Sequence, residues 1–290
     1  MSLVISIYFF QSYQLTIPFR ARLPRSKAIL ALDATPMTAV RGNDKERFRL
    51  NSLLTRALNY LVYRKRFREI DFFLARTEHA RKSLQLDYGI HPSRIEVTYL
   101  PMELSPVGKV TLNTAEKLRL LVVGNDIYRK GIPFAIELFD KYLFEFCELL
   151  IVSTDARISE LPTLAGVTYI NGCDKKQLES YYKSYDVLLF PSYKDELGLV
   201  LCEALAHGMV LIARNSSAQN EIVLDGVNGY LMDYDSHHEE WAGKLRVLNE
   251  NRERLRKMGE ESLSLANELL SPKVFVRKVN KAIDFLLEMH

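Results

Sequence analysis

The 290-residue sequence is poor in the residues that build specialised scaffolds, with three cysteines, one tryptophan, 13 glycines and 10 prolines. Cys147, Cys173 and Cys202 form no C-x-x-C pair, which excludes a disulfide framework and fits reduced, buried thiols of a cytosolic protein. With 48% hydrophobic and 26% charged residues, the chain is neither collagen-like, low-complexity nor disordered. Long apolar runs are also missing. Leu3 to Phe10 falls far short of the ~20 residues that span a bilayer. It has no preceding Lys or Arg and no small-residue cleavage site, so it reads as a buried strand rather than a signal peptide.

Several motifs are absent too. There is no G-x-G-x-x-G, no G-x-x-x-x-G-K-[ST], no H-E-x-x-H and no G-x-S-x-G, which removes the usual signatures of dinucleotide binding, P-loops, zinc proteases and serine hydrolases. The one D-x-D, Asp233-Tyr234-Asp235, sits beside His237-His238 in a polar stretch and reads as a solvated turn, so no metal is expected.

What is present is an alternation of short apolar runs with helical periodicity over nearly the whole chain. Strands are expected at Leu3–Phe10, Ala28–Leu32, Ile70–Leu74, Ile95–Leu100, Leu118–Val123, Leu149–Ser153, Val167–Ile170, Val187–Phe190, Val210–Ala213 and Gly229–Met232. Helices are expected near 48–66, 78–87, 131–144, 175–184, 198–206, 219–224, 237–250, 252–268 and 272–288. Continuously apolar strands joined by crossover helices predict an α/β chain with parallel sheets covered on both faces. Residues 101–117 lack periodicity and carry turn formers, which predicts a linker between a domain at 1–105 and a domain at 106–290. The second holds enough strands for a complete doubly wound unit; the first holds four.

The net charge of +3 hides an imbalance: residues 1–100 carry 17 Lys/Arg against 8 Asp/Glu, whereas residues 101–290 carry 22 against 28. The excess gathers between Lys45 and Arg68, interleaved with Phe48, Leu50, Leu53, Leu54, Leu58, Leu61 and Val62. This predicts a basic amphipathic helix, either a solvated face covering a sheet or a peripheral contact for an anionic membrane face or acceptor. Nucleic acid is not an expected partner.

Three stretches carry chemistry. Val122-Val123-Gly124-Asn125-Asp126-Ile127-Tyr128-Arg129-Lys130-Gly131 runs from strand through loop to helix. Arg129 and Lys130 beside a helix N-terminus oppose the helix dipole unless an anion such as phosphate lies between. In the stretch from Tyr185 to Gly208, Asp195 and Glu196 follow a strand and precede a helix. That helix is apolar nearly all round apart from Glu203, a carboxylate that needs a partner: a ligand hydroxyl, a cation, a backbone amide or His207 four residues on. The third, Ser216 to Gly229, is a polar loop with turn signals at Asp225-Gly226 and Asn228-Gly229.

Taken together over about residues 27–235, these pieces resemble retaining GT-B glycosyltransferases of the family 4 type (glycosyl transferases group 1). The matching order is Lys130-Gly131, then Gly172 with the helix from Asp174 to Tyr185, then Asp186 and Pro191-Ser192. The Gly198 to Gly208 helix and Glu221 with Asp225-Gly226 and Asn228-Gly229 follow. Asp33-Ala34-Thr35-Pro36 and Arg76-Thr77-Glu78-His79 through Tyr88-Gly89-Ile90 resemble the acceptor-side half. The resemblance implies two Rossmann-like domains, the first shortened. It implies cytoplasmic glycan biosynthesis by a hexosyltransferase-type enzyme that moves a sugar from a nucleoside diphosphate sugar to a glycan or lipid-linked acceptor hydroxyl, with retention and without bound metal.

By the same resemblance, Arg129 and Lys130 hold the diphosphate, Glu203 the ribose, and the amides near Gly198, Leu199 and Val200 the phosphate or sugar; Asp195, Glu196 and Glu203 are the catalytic candidates. The chain departs from the family pattern in placing Asp195 where the first acid of E-x7-E is expected, Asn125 where an Arg is common, and Ser216-Ser217 where a glycine pair is usual. It has no histidine before His79. The alternative is a truncated or degenerate relative that binds nucleotide sugar or a partner subunit without turnover.

Overall fold

A computed structural model describes residues 7–10, 27–41, 53–105 and 116–288. The chain divides into two compact units, one of residues 1–101 with 272–290, the other of residues 102–271. Helix 272–288, expected with the second domain, therefore belongs to the first unit. Its apolar residues Val279, Ala282, Ile283, Phe285 and Leu286 close over Ile29, Ala31, Phe72 and Leu74, which explains the assignment.

In the first unit the strands are β1 (Ile7–Phe10), β2 (Lys27–Leu32), β3 (Phe72–Ala75) and β4 (Ile95–Val97), parallel and in the order β1-β2-β3-β4. Its helices are α1 (Pro36–Arg41), α2 (Leu53–Arg68) and α3 (Glu78–Leu86). The expected start of this helix near residue 48, with Lys45, Arg47 and Arg49, lies outside the described residues, as does most of the linker. Thr77 caps α3 by accepting a hydrogen bond from the Ala80 amide at 2.9 Å. Periodicity does not reveal α1, which is short and polar at several positions.

The second unit holds β5 (Leu118–Val123), α4 (Ile132–Leu138), β6 (Cys147–Ser153), β7 (Val167–Asn171), α5 (Lys175–Ser184), β8 (Val187–Phe190), α6 (Leu199–Ala206), β9 (Val210–Arg214), β10 (Gly229–Met232), α7 (His238–Glu250) and α8 (Arg252–Leu270). The remaining helix, α9 (Pro272–Glu288), is the one that returns to the first unit. Helix α4 runs on into a wider turn at Phe139–Leu143. The stretch expected as a helix near 219–224 is a single tight turn at Gln219–Glu221, because the Asn228 side chain accepts from the Leu224 amide at 2.8 Å and donates to the Ile222 carbonyl at 2.9 Å.

All six strands of this sheet are parallel, in the order β10-β9-β8-β5-β6-β7. Sequence order therefore reverses between β5 and β8. The chain leaves β5 toward one side and β8 toward the other, opening a crevice at their carboxyl ends where doubly wound sheets bind ligands. The core beneath is apolar: Leu118, Leu120, Leu149, Ile151, Val187, Leu189, Val210 and Ile212 are buried on one face with Trp241 and Leu245 of α7. Asp186 fixes the start of β8 by accepting from the Arg119 amide at 2.9 Å, and burial pushes its carboxyl pKa up.

Candidate functional site

Two loops meet at the crevice. After β5 the chain turns through Asp126–Lys130, closed by Lys130 N–H to Asp126 O at 2.8 Å, and enters α4 at Gly131. Gly131 has φ 70°, and a Cβ there would lie 2.3 Å from the Pro191 carbonyl oxygen after β8. No other residue fits both the backbone angle and that contact. Glycine thus lets the two loops touch, and Tyr193 N–H seals them by donating to Arg129 O at 2.9 Å.

This contact brings the predicted cations onto a predicted acid. Lys130 Nζ donates to Asp195 Oδ2 at 2.7 Å, Arg129 Nη1 lies 3.3 Å from Asp195 Oδ1, and Ser192 Oγ donates to Asp195 Oδ2 at 2.7 Å. Arg129 also donates to Lys194 O at 2.9 Å and pairs with Asp126 at 3.4 Å. Lys130 is pinned over the Phe190 ring with its ammonium 5.2 Å from the centroid. The Lys130 side chain is only 11% exposed and that of Asp195 17%, so this is a partly desolvated pair, stronger than a surface bridge.

Glu196 points elsewhere, accepting from Ser217 Oγ at 3.3 Å on the loop after β9. Buried Gln219 organises that region: its Nε2 donates to the carbonyls of Asp195 and Glu196, both at 3.1 Å, while its Oε1 accepts from the amides of Ser216 and Ser217. Gln219 is legible in the sequence only as a polar loop residue; nothing there marks it as the tie between the acidic loop and Ser216-Ser217. Asn125, another departure, accepts from the Thr154 amide at 3.2 Å.

Helix α6 opens at Gly198, φ 86°, where a Cβ would sit 2.6 Å from the Phe190 ring. The residues carrying the amides named for this end, Leu199 and Val200, start the helix, and its first N–H groups have no intrahelical acceptors. Glu203, one turn on, accepts from Tyr182 Oη at 2.8 Å; burial and the neighbouring carboxylate both push the phenol pKa up. His207, one of the partners the sequence offers Glu203, meets its backbone and not its carboxylate. His207 Nδ1 bonds the Glu203 carbonyl at 2.8 Å as the helix cap, and its ring stacks on Tyr182, leaving the carboxylate to the tyrosine. Tyr182 is thus a candidate site residue that the sequence does not single out, although its place on the helix after Gly172 is a usable signal.

Among the described residues no three His, Cys, Asp or Glu side chains lie close enough to hold a metal ion. Asp233 and Ser236 close a turn: the Asp233 carbonyl accepts from Ser236, whose Oγ accepts in turn from Trp241 Nε1 at 2.8 Å.

Residues 109–264, more than half of the chain, match the family described as "Glycosyl transferases group 1". The chain belongs to that family. A relative among the glycosyl transferases, an uncharacterized glycosyltransferase of Methanocaldococcus jannaschii, is 25% identical over 238 residues, covering 76% of this chain and 60% of its own. The curated relatives that match first are spanned by this chain over 44% and 60% of their lengths. Among solved structures, sucrose-phosphate synthase from Thermosynechococcus elongatus aligns with TM-score 0.76 at 16% identity, over 99% of this chain and 74% of that one. Anabaena HepE, solved in complex with UDP, aligns with TM-score 0.74 at 15% identity, over 96% of this chain and 78% of its own. This group 1 chain therefore has the GT-B glycosyltransferase fold, an α/β architecture of two parallel sheets. Among the described residues no helix is long and apolar enough to cross a membrane.

Proposed function

We propose that the chain transfers a sugar from a nucleoside diphosphate sugar to an acceptor hydroxyl with retention, the donor being held by the second unit. One observation carries this reading. Two cations, Arg129 and Lys130, converge on a single carboxylate at the switch point of a six-stranded doubly wound sheet. Asp195 occupies there the place a diphosphate would take, and the donor's arrival frees that carboxylate to face the sugar.

The chemistry follows from charge. Breaking the bond between sugar and diphosphate leaves negative charge on the leaving oxygens and positive charge on the anomeric carbon. Fixed cations and the α6 amides stabilise the first, while Asp195, Glu196 or both stabilise the second in a partly water-excluded site. Glu203, held by Tyr182, has the ribose hydroxyls as its ligand. With two side-chain cations on the leaving group, no metal is required by this scheme. UDP-sugars head the donor panel because HepE binds UDP and UDP-glucose.

The basic helix supports a further contact. On α2, Leu61 and Val62 are exposed beside exposed Arg64, Lys65 and Arg68, a pattern suited to an anionic membrane face where lipid-linked acceptors reside. Sedimentation with anionic and with neutral vesicles tests it: binding to the anionic ones alone supports the contact, and equal partition refutes it.

For the donor site, UDP-, GDP- and ADP-linked sugars are screened by thermal shift. One should raise the melting temperature, and Lys130→Ala should remove the shift. The same donor should be hydrolysed or transferred, with Glu203→Ala slowing turnover roughly tenfold or more. Binding without turnover across a broad acceptor set would favour a nucleotide-sugar-binding relative, and no shift with any donor would sink the reading.

A further inference from the structure

The first unit has a polar row of its own at the carboxyl edge of its sheet. Leu32, Ala75 and Val97 are register partners at the ends of β2, β3 and β4, so the residues that follow them, Asp33, Arg76 and Thr98, stand side by side just beyond three adjacent strands. Backbone bonds continue the ladder there, with Arg76 N–H to Leu32 O at 2.9 Å and Thr98 N–H to Ala75 O at 2.7 Å. Alternation along the strands puts Asp33 and Arg76 on the face that carries Ile29, Ala31, Phe72 and Leu74, the face covered by α9. The amino-terminal part of α9 lies over this edge: Phe275 sits 5.9 Å from the Arg76 guanidinium, and Lys278 Nζ donates to Val97 O at 2.6 Å.

Two groups in the row lack what burial demands. Arg76 is 9% exposed and Thr98 1%, yet among the described residues neither Arg76 Nη1 nor Thr98 Oγ1 has a hydrogen-bond partner. An unsatisfied buried donor costs about 1–3 kcal/mol, and more when it is charged. The carboxylate it pairs with among the described residues is a poor match: Asp33 Oδ1 stands 3.9 Å from Arg76 Nε, and its side chain is 73% exposed. The first turn of α9 has no acidic residue to meet its dipole. A guanidinium, a hydroxyl and a helix N-terminus without an acid, at the carboxyl ends of parallel strands, together want an anion with several acceptor oxygens.

We propose that Arg76 and Thr98 form a phosphate-binding site in the first unit, taking a phosphate monoester or inorganic phosphate, with Asp33 as the counter-charge that the ligand displaces. The inference stands apart from the proposed transfer reaction and holds whether or not the second unit binds a donor. Burial pulls the Arg76 pKa down, but an arginine keeps its charge at neutral pH.

The test titrates the full chain carrying Lys130→Ala, which silences the loop proposed to hold the diphosphate, with orthophosphate and with glycerol 3-phosphate, followed by calorimetry and phosphorus NMR. Saturable binding is expected. Arg76→Gln should weaken it roughly tenfold or more, Thr98→Val several-fold, and Asp33→Asn should strengthen it several-fold by removing the competing carboxylate. The Asp33 variant alters an exposed side chain, so it reports even if the buried substitutions impair folding. Tighter binding of the ester than of orthophosphate would make the ligand a phosphorylated metabolite or headgroup; equal binding would make it the free anion. No saturable binding of either probe, or binding indifferent to Arg76→Gln and Asp33→Asn, would overturn the proposal.

Discussion

Lys130 Nζ and Asp195 Oδ2 lie 2.7 Å apart although 65 residues separate them in the chain. The pair joins the loop after β5 to the loop after β8, and it exists because Gly131 lets its backbone rest on the Pro191 carbonyl. In the proposed donor site Asp195 is the resident anion between the two cations, so removing its negative charge while keeping its shape should help a diphosphate bind. Asp195→Asn is expected to raise UDP affinity several-fold while lowering sugar transfer at least tenfold. Calorimetry and a transfer assay on the same preparation separate the two effects. A loss of both together would assign Asp195 a purely structural part.

The Gly131 contact makes a second prediction. Adding a methyl group at φ 70°, 2.3 Å from Pro191 O, forces the loops apart, so Gly131→Ala should cost about 1–3 kcal/mol. Gly243→Ala, on the exposed face of α7 with open space around it, should instead stabilise by about 0.5–1 kcal/mol. Denaturant unfolding of both variants checks the contrast in sign.

Tyr182→Phe deletes one hydroxyl and leaves Glu203 without that hydrogen bond. UDP affinity should fall several-fold with little change in melting temperature, because the ring still stacks on His207. Equal affinity would show that Glu203 orients itself without the phenol.

Thiol chemistry reports on burial. Cys147 and Cys202 are buried with their pKa values pushed up to about 12, and Cys173 is half-buried. A thiol reagent at pH 8 should label Cys173 in the native protein and all three cysteines only after unfolding. Fast labelling of Cys202 would contradict the packing of α6.

Acid should weaken the second unit partly through His238. Its ring lies 4.0 Å from that of Phe134, and burial lowers its pKa below the ordinary 6.5. The folded state therefore binds fewer protons than the unfolded state near that pH. This contribution is fully present above the unfolded pKa and is lost as pH falls through 6.5 toward the folded value. Melting temperature should drop between pH 7.5 and 5, and His238→Phe should flatten part of that slope.

The alternation of apolar runs and helical periods is enough to mark the ten strands among the described residues, most readily the buried central ones such as β5, β6, β8 and β9, because buried parallel strands are apolar on both faces and need no tertiary information to stand out. Lys130, Asp195 and Glu203 stand out for a related reason, since charged groups beside apolar elements demand partners. Their meeting is harder to read. Nothing local places Lys130 on Asp195; that follows from the strand order, in which β5 and β8 are neighbours despite two intervening strands. The home of α9 is also hidden, since its apolar stripe fits either sheet and only the packing against Ile29 and Phe72 decides. Gln219 and Tyr182 escape because hydrogen-bond geometry, rather than residue type, makes them important.

Calorimetric titration of the intact chain with UDP, run beside Lys130→Ala and Arg129→Ala, puts the phosphate cradle itself to the test. Saturable binding is expected, weakened roughly tenfold or more by Lys130→Ala and less by Arg129→Ala, in keeping with the greater exposure of Arg129. UDP binding of equal strength in all three proteins would contradict a donor held by these two cations.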